Sequence, residues 1–78
     1  MDAEAIARRS RLLEFLKFRV LAAQSEFFEE FRASRTGTQA YDPAAIRGYL
    51  HRAFPEALAL EDGDLVEVFV QARRLYLP

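Results

Sequence analysis

The first part of the chain has the apolar spacing of one long helix. Residues 3–33 contain no glycine or proline and are rich in alanine, leucine, glutamate and arginine, which are good helix formers. Asp2 can cap the start of this helix. Apolar side chains recur within about 60° of one direction at 100° per residue. They are Ile6, Leu13, Leu16, Val20, Ala23, Phe27 and Phe31. The pattern predicts a helix of roughly 45 Å, with a kink near Ala22–Ser25 as the alternative.

The stretch LLEFLKFRVL, residues 12–21, is apolar on almost every side of that helix. Phe15 and Phe18 point about 140° to 160° away from Val20, so helices packed on the main stripe do not easily cover them. A contiguous apolar patch with two aromatic rings usually marks an interface. The sequence therefore predicts a partner-binding face of five side chains: Leu12, Phe15, Phe18, Leu21 and Phe28. The alternative is that the other helices wrap the first one and make Phe15 and Phe18 part of the core.

A second copy of the chain is the simplest partner for this face, because twofold homodimers dominate soluble assemblies. An antiparallel pairing of the two long helices would bury Phe15 and Phe18. Another protein is the alternative partner.

A second helix is predicted to begin after Asp42, which is a good N-cap, with Pro43 at the first helical position. It should end at Phe54, because Pro55 disfavours a helical residue before it. Gly48 weakens the middle of this helix, and we interpret it as a close contact between helices. The core side is predicted from apolar spacing to contain Ile46, Tyr49, Leu50 and either Ala53 or Phe54.

The remaining segment predicts a short helical turn from Pro55 and then a third helix. Asp64 followed by Glu67 resembles a capping box at its start. Residues 65–70 alternate in the manner of a strand, but QARR continues as good helix formers, so helix is favoured. The face predicted to pack is Leu65, Phe69, Ala72 and Tyr76.

These elements predict an all-α protein with a single domain over residues 1–78, completed by dimerisation. The two shorter helices could lie end to end along the first one, or fold beside half of it as a compact bundle. The chain contains no cysteine, which removes disulfides and thiolate metal sites. It lacks an apolar run of the roughly 20 residues that span a bilayer and a signal-peptide pattern. These features predict a cytoplasmic protein without membrane contact.

A nucleic-acid-binding regulator is the alternative function. Three arginines cluster near the N-terminus: Arg8, Arg9 and Arg11. They could contact phosphates, with Arg47 and Arg52 added. The formal net charge of −1, from 11 basic and 12 acidic residues, argues against it. Glu4 and Arg8 also form a favourable i,i+4 pair, so a solvated face explains the cluster.

Chemical motifs for catalysis are absent from the sequence. Glu26, Glu29 and Glu30 form an acidic group, but no Glu-x-x-His pair accompanies them and Arg32 can pair with Glu29. The single histidine, His51, is predicted to lie on the surface. We therefore expect a non-enzymatic module for protein–protein binding, such as an adaptor, chaperone-like, immunity-type or regulatory subunit. We expect no metal, no cofactor and no small-molecule substrate.

Overall fold

The computed structural model describes residues 3–33 and 41–77. Every regular element in these two ranges is helical, which confirms the all-α class and the helical alternative for residues 65–70. The elements are α1 (Ala3–Ala23), the 3₁₀ helix η1 (Gln24–Phe31), α2 (Pro43–Ala53), the 3₁₀ helix η2 (Pro55–Ala59) and α3 (Asp62–Tyr76). The predicted turn at residues 34–41 lies almost entirely outside the described residues. Principal extents of 32 × 28 × 22 Å match the compact bundle and not the end-to-end arrangement.

The first helix ends at Ala23, so the prediction of one long helix is wrong and the alternative near Ala22–Ser25 is right. Gln24 has φ 60°, in the left-handed region. Residues with a β-carbon adopt this region at a cost of about 1 to 2 kcal/mol. The Gln24 side-chain amide donates to the Leu21 carbonyl oxygen at 2.8 Å. This bond satisfies one of the acceptors that the end of α1 leaves open.

Because the chain turns at Gln24, three phenylalanines of η1 pack into the core: Phe27, Phe28 and Phe31. There they meet Phe69 of α3, whose side chain is fully buried. The ring centre of Phe69 lies 5.0 Å from that of Phe31 and 6.4 Å from that of Tyr41. We call the six rings that pack here the aromatic cluster: Phe27, Phe28, Phe31, Tyr41, Tyr49 and Phe69. Edge-to-face and offset pairs of this kind add to the gain from burial.

The core side of α1 is rotated from the predicted stripe. Its fully buried residues follow at four-residue spacing: Leu12, Leu16 and Val20. Ile6 and Ala23 are exposed, and Leu13 and Phe27 are only partly buried. The predicted direction was wrong because it gave weight to Ile6 and Leu13, whereas the buried residues of α1 are centred on Leu16.

The three α-helices run up, down and up. Arg9 in α1 pairs with Glu67 early in α3 at 3.0 Å, and the Tyr76 hydroxyl at the end of α3 donates to the Leu13 carbonyl oxygen at 3.3 Å. The helices α1 and α3 are therefore parallel. The helix between them in the chain, α2, begins beside η1 and is followed by Phe54, which packs against Phe15, so α2 runs in the opposite direction.

The start of α2 matches the prediction. The Asp42 carboxylate accepts from the Ala44 backbone amide at 3.0 Å, with Pro43 in the first turn. The helix ends before Phe54, as the following proline required. The interpretation of Gly48 as a close contact is wrong, because nothing lies within 4 Å of the position that a β-carbon would take there.

The predicted start of α3 is also wrong. The helix begins at Asp62, after Glu61, and Asp64 lies inside its first turn. Asp64 and Glu67 do not cap the helix but reach Arg9, at 3.5 Å and 3.0 Å. Acidic side chains in the first turn are favourable with the helix dipole, and here they also join α3 to α1.

Arg47 of α2 stabilises the connection between η2 and α3 through three hydrogen bonds. Its Nη1 and Nη2 donate to the carbonyl oxygens of Leu58 at 2.9 Å and Leu60 at 2.7 Å. Its Nε donates to the Asp62 carboxylate at 2.7 Å. The planar guanidinium group satisfies three acceptors at once, which a lysine ammonium group cannot do in the same geometry.

We expect replacement of Gln24 to test the turn after α1. Gln24→Val should lower the free energy of unfolding by about 1 kcal/mol or more, because β-branched residues strongly disfavour positive φ. Gln24→Asn should change it by less than about 0.5 kcal/mol, because asparagine tolerates this region. Urea denaturation followed by circular dichroism measures both. Equal stability of the two variants would contradict the positive φ.

Replacement of Arg47 tests how much its hydrogen bonds to η2 contribute to stability. Arg47→Met should cost about 2 kcal/mol of unfolding free energy, because two partly buried carbonyl oxygens lose their donors. Arg47→Lys, which keeps the charge, should recover half of this or less. Urea denaturation of the two variants decides, and a lysine variant as stable as the unchanged protein would show that charge alone matters.

The stability of the fold should decline in alkaline solution. Burial raises the pKa of Tyr49 above its ordinary value of 10.0, and the carboxylate of Glu30 adds to this while Arg19 opposes it. The unfolded chain therefore loses this proton first, and stability falls as the pH rises above about 10. Denaturation midpoints of the unchanged protein and Tyr49→Phe across this range measure the effect. The decline should be smaller in the variant, and an equal decline would contradict the assignment.

Candidate functional site

A groove with a volume of about 650 Å³ lies on the outer side of α1, next to the end of α2 and the start of η2. Six of its lining residues come from α1: Arg11, Glu14, Phe15, Phe18, Arg19 and Ala22. Phe54 and Glu56 line it from the other side. We call it the Phe18 groove. Its middle is apolar and aromatic, and charged side chains of both signs stand around it.

Two contacts hold the wall of the Phe18 groove against α1. The rings of Phe15 and Phe54 stack with their centres 4.8 Å apart and their planes at 22°. The Arg11 Nε donates to a Glu56 carboxylate oxygen at 2.8 Å. The Arg19 guanidinium carbon lies 5.1 Å from the centre of the Phe15 ring, a cation–π distance. Phe15 is therefore tied to its neighbours and only partly exposed.

Phe18 is different, because 68 % of its surface is exposed. Phe15 contacts the ring of Phe54 and the guanidinium group of Arg19, but within the described residues neither kind of contact reaches Phe18. Leu21, one turn further along α1, is 48 % exposed. Two large apolar side chains thus face solvent next to an apolar groove, which is the kind of patch that marks a binding surface.

In the structure, the five residues predicted to bind a partner fall into an exposed group and a buried group. Phe15 and Phe18 line the groove, and Leu21 is exposed beside it. Leu12 and Phe28 are 0 % and 1 % exposed, and we remove them from the candidate surface. Leu12 lies on the core side of α1, with Leu16 and Val20. Phe28 is turned inward by the break at Gln24 and joins the aromatic cluster.

Four residues of the groove were missed by sequence reasoning: Glu14, Arg19, Phe54 and Glu56. Phe54 was expected, as the alternative to Ala53, on the core side of α2, but it is only partly buried and packs on Phe15. A signal for Glu14 and Arg19 existed. Arg11, Phe15, Phe18 and Ala22 follow at spacings of four, three and four, and Glu14 and Arg19 flank the two phenylalanines, as charges flank the seam of a coiled coil.

The arginines near the N-terminus pair with acidic side chains of the same chain. Arg8 lies 3.5 Å from Glu4, which confirms the predicted i,i+4 pair. Arg9 reaches α3, as described above. Arg11 lies 3.5 Å from Glu4 and 2.8 Å from Glu56. Arg47, the proposed additional phosphate contact, donates within the chain, whereas Arg52 is exposed.

The acidic group on η1 shows the pairing that the sequence predicts, with Arg32 3.3 Å from Glu29. His51 is exposed on α2, as predicted. In residues 3–33 and 41–77, no group of three or more histidine, cysteine, aspartate or glutamate side chains is arranged to hold a metal ion. In the same ranges, no helix has the length and apolar character needed to cross a membrane.

Comparison with known proteins gives no relative: no family model matches the chain, and neither the curated proteins nor the solved structures contain a significant match. The function is therefore inferred from the Phe18 groove itself.

The two phenylalanines of the groove should respond differently to substitution. Phe15→Ala should lower the free energy of unfolding by about 1 to 2 kcal/mol, because it loses its stacking on Phe54 and its partial burial. Phe18→Ala should change it by less than about 0.5 kcal/mol, as expected for a surface residue. Urea denaturation of dilute protein measures both. A large loss in the Phe18 variant would instead place Phe18 in the core.

Proposed function

We propose that this protein is a small non-enzymatic module that binds another polypeptide through the Phe18 groove. The observation that carries the proposal is the 68 % exposure of Phe18 beside an apolar groove that the fold itself holds in place. Complete burial of a phenylalanine side chain gains about 1.5 to 3 kcal/mol. Binding of a partner that covers Phe18 is favoured by this free energy of burial, which the isolated chain does not gain.

The surroundings of Phe18 fit the usual anatomy of a binding site. Interfaces have an apolar centre, in which aromatic anchors carry most of the binding energy, and a polar rim. Here the centre is formed by Phe15, Phe18 and Phe54, and Arg19 and Glu14 stand at the rim. The stacking of Phe15 on Phe54 fixes the centre before a partner arrives, which lowers the entropy lost on binding.

This proposal covers adaptors, chaperone-like proteins, immunity-type proteins and regulatory subunits, because all of them act by surface recognition. The nucleic-acid alternative has no comparable support. Its main residues, Arg8, Arg9 and Arg11, neutralise carboxylates of the same chain.

Affinity capture with matched variants tests the proposed function. The unchanged protein, Phe18→Asp and Leu75→Asp are immobilised and exposed to lysate of cells that naturally produce the protein. Leu75 is a suitable control because it is also a large exposed apolar residue, 59 % exposed, on α3. We expect a protein that the unchanged chain and Leu75→Asp retain equally and Phe18→Asp loses, with capture quantified by mass spectrometry. Equal capture by all three chains would contradict the proposal.

A further inference from the structure

We propose that the occupant of the Phe18 groove is a second copy of this chain, paired so that the two α1 helices run parallel about a twofold axis. This inference is based on the proposed function and names its partner. The order of apolar and charged residues along the exposed side of α1 supports it.

The exposed side of α1 has the spacing of a short coiled-coil seam. Phe15, Phe18 and Ala22 follow at intervals of three and four, the spacing of positions a, d and a in a heptad. Phe18 is mostly exposed, and Ala22 is small enough for close approach of a second helix. Leu21, also exposed, lies next to Ala22 and lengthens the apolar surface.

The charges beside this seam select the orientation of the partner. Glu14 precedes Phe15 at position g, and Arg19 follows Phe18 at position e, five residues later. In a parallel pair of helices, position g of one helix faces position e of the other five residues further on. Glu14 of each chain then faces Arg19 of its partner, and this pairing occurs twice.

In an antiparallel pair, which the sequence alone had suggested, position g lies on the same side as position g of the other helix, and e lies with e. When Phe15 of one chain packs against Phe18 of the other, the g residue nearest Glu14 is the apolar Leu21, and no acidic residue at position e lies near Arg19. Neither charge then meets an opposite charge. The charges beside the seam therefore pair with each other in the parallel arrangement only.

The seam is short, so the dimer should be weak. It covers one heptad, and interfaces below about 1,200 Å² belong to transient complexes. Dissociation constants of about micromolar or weaker follow, and the association must be measured at high protein concentration.

Sedimentation equilibrium of charge-exchanged chains tests the parallel dimer. Glu14→Arg alone places two arginines opposite each other, and Arg19→Glu alone places two glutamates opposite each other. Each should raise the dissociation constant of the homodimer at least about tenfold. An equimolar mixture of the two variants should regain a dimer of mixed composition, and the double exchange in one chain should regain the homodimer. Arg74→Glu, an exposed charge reversal on α3, should leave association unchanged.

The outcomes separate the pairing from the proposed function. If the unchanged protein remains a monomer at all concentrations, the self-pairing is wrong, whereas the proposed function is decided by the capture experiment. A dimer that neither single exchange weakens is antiparallel or uses another surface, which also overturns the inference. Recovery in the mixture shows in addition that both single variants are folded.

Discussion

The break in the first helix at Gln24 is the constraint on which the rest of this structure depends. If α1 continued, the side chains of Phe27, Phe28 and Phe31 would remain on its extension, away from the third helix. Because the chain turns, these rings surround Phe69 instead. The 3₁₀ segment that follows is eight residues long, more than is usual for this helix type. Burial of aromatic surface therefore outweighs both the cost of the left-handed residue and the poorer hydrogen-bond geometry.

The two ends of the bundle are held by different interactions. Aromatic packing dominates at the end where α2 begins, whereas the opposite end is joined by guanidinium groups. Arg9 connects α1 to α3, Arg11 connects α1 to η2, and Arg47 connects α2 to both η2 and α3. Exposed ion pairs stabilise proteins little, but these three join different elements and so fix their relative positions. The Phe18 groove lies where Arg11 and the Phe15–Phe54 stack meet, so its shape is a consequence of the fold.

Local signals in the sequence predicted α2 and the start of η2 well. Asp42, Pro43 and Pro55 act within a few residues of where they stand, and they set the bounds of α2 and the start of η2. Tertiary contacts determine the structure of the first half of the chain. No glycine or proline marks the end of α1, and its residues favour helix throughout, so the break follows only from the packing of distant rings.

The candidate site was only partly predictable for the same reason. Helical geometry alone separated Phe15 and Phe18 from the core side of α1, because both lie on the same unbroken helix as Val20. It could not show that Phe54 packs on Phe15 and leaves Phe18 uncovered, since this depends on where α2 ends in space. Leu12 was assigned to the wrong side because the predicted stripe was centred near Val20, whereas the buried residues of α1 are centred on Leu16.

The most direct test of the central claim is an aromatic NMR dilution series on phenylalanine-labelled protein. If Phe18 is the contact of a weak association, its ring signals should shift and broaden as the concentration rises, with smaller changes at Phe15. The signals of Phe69, in the core, should stay fixed. Phe18 signals that are independent of concentration, both alone and after addition of a captured partner, would contradict the account.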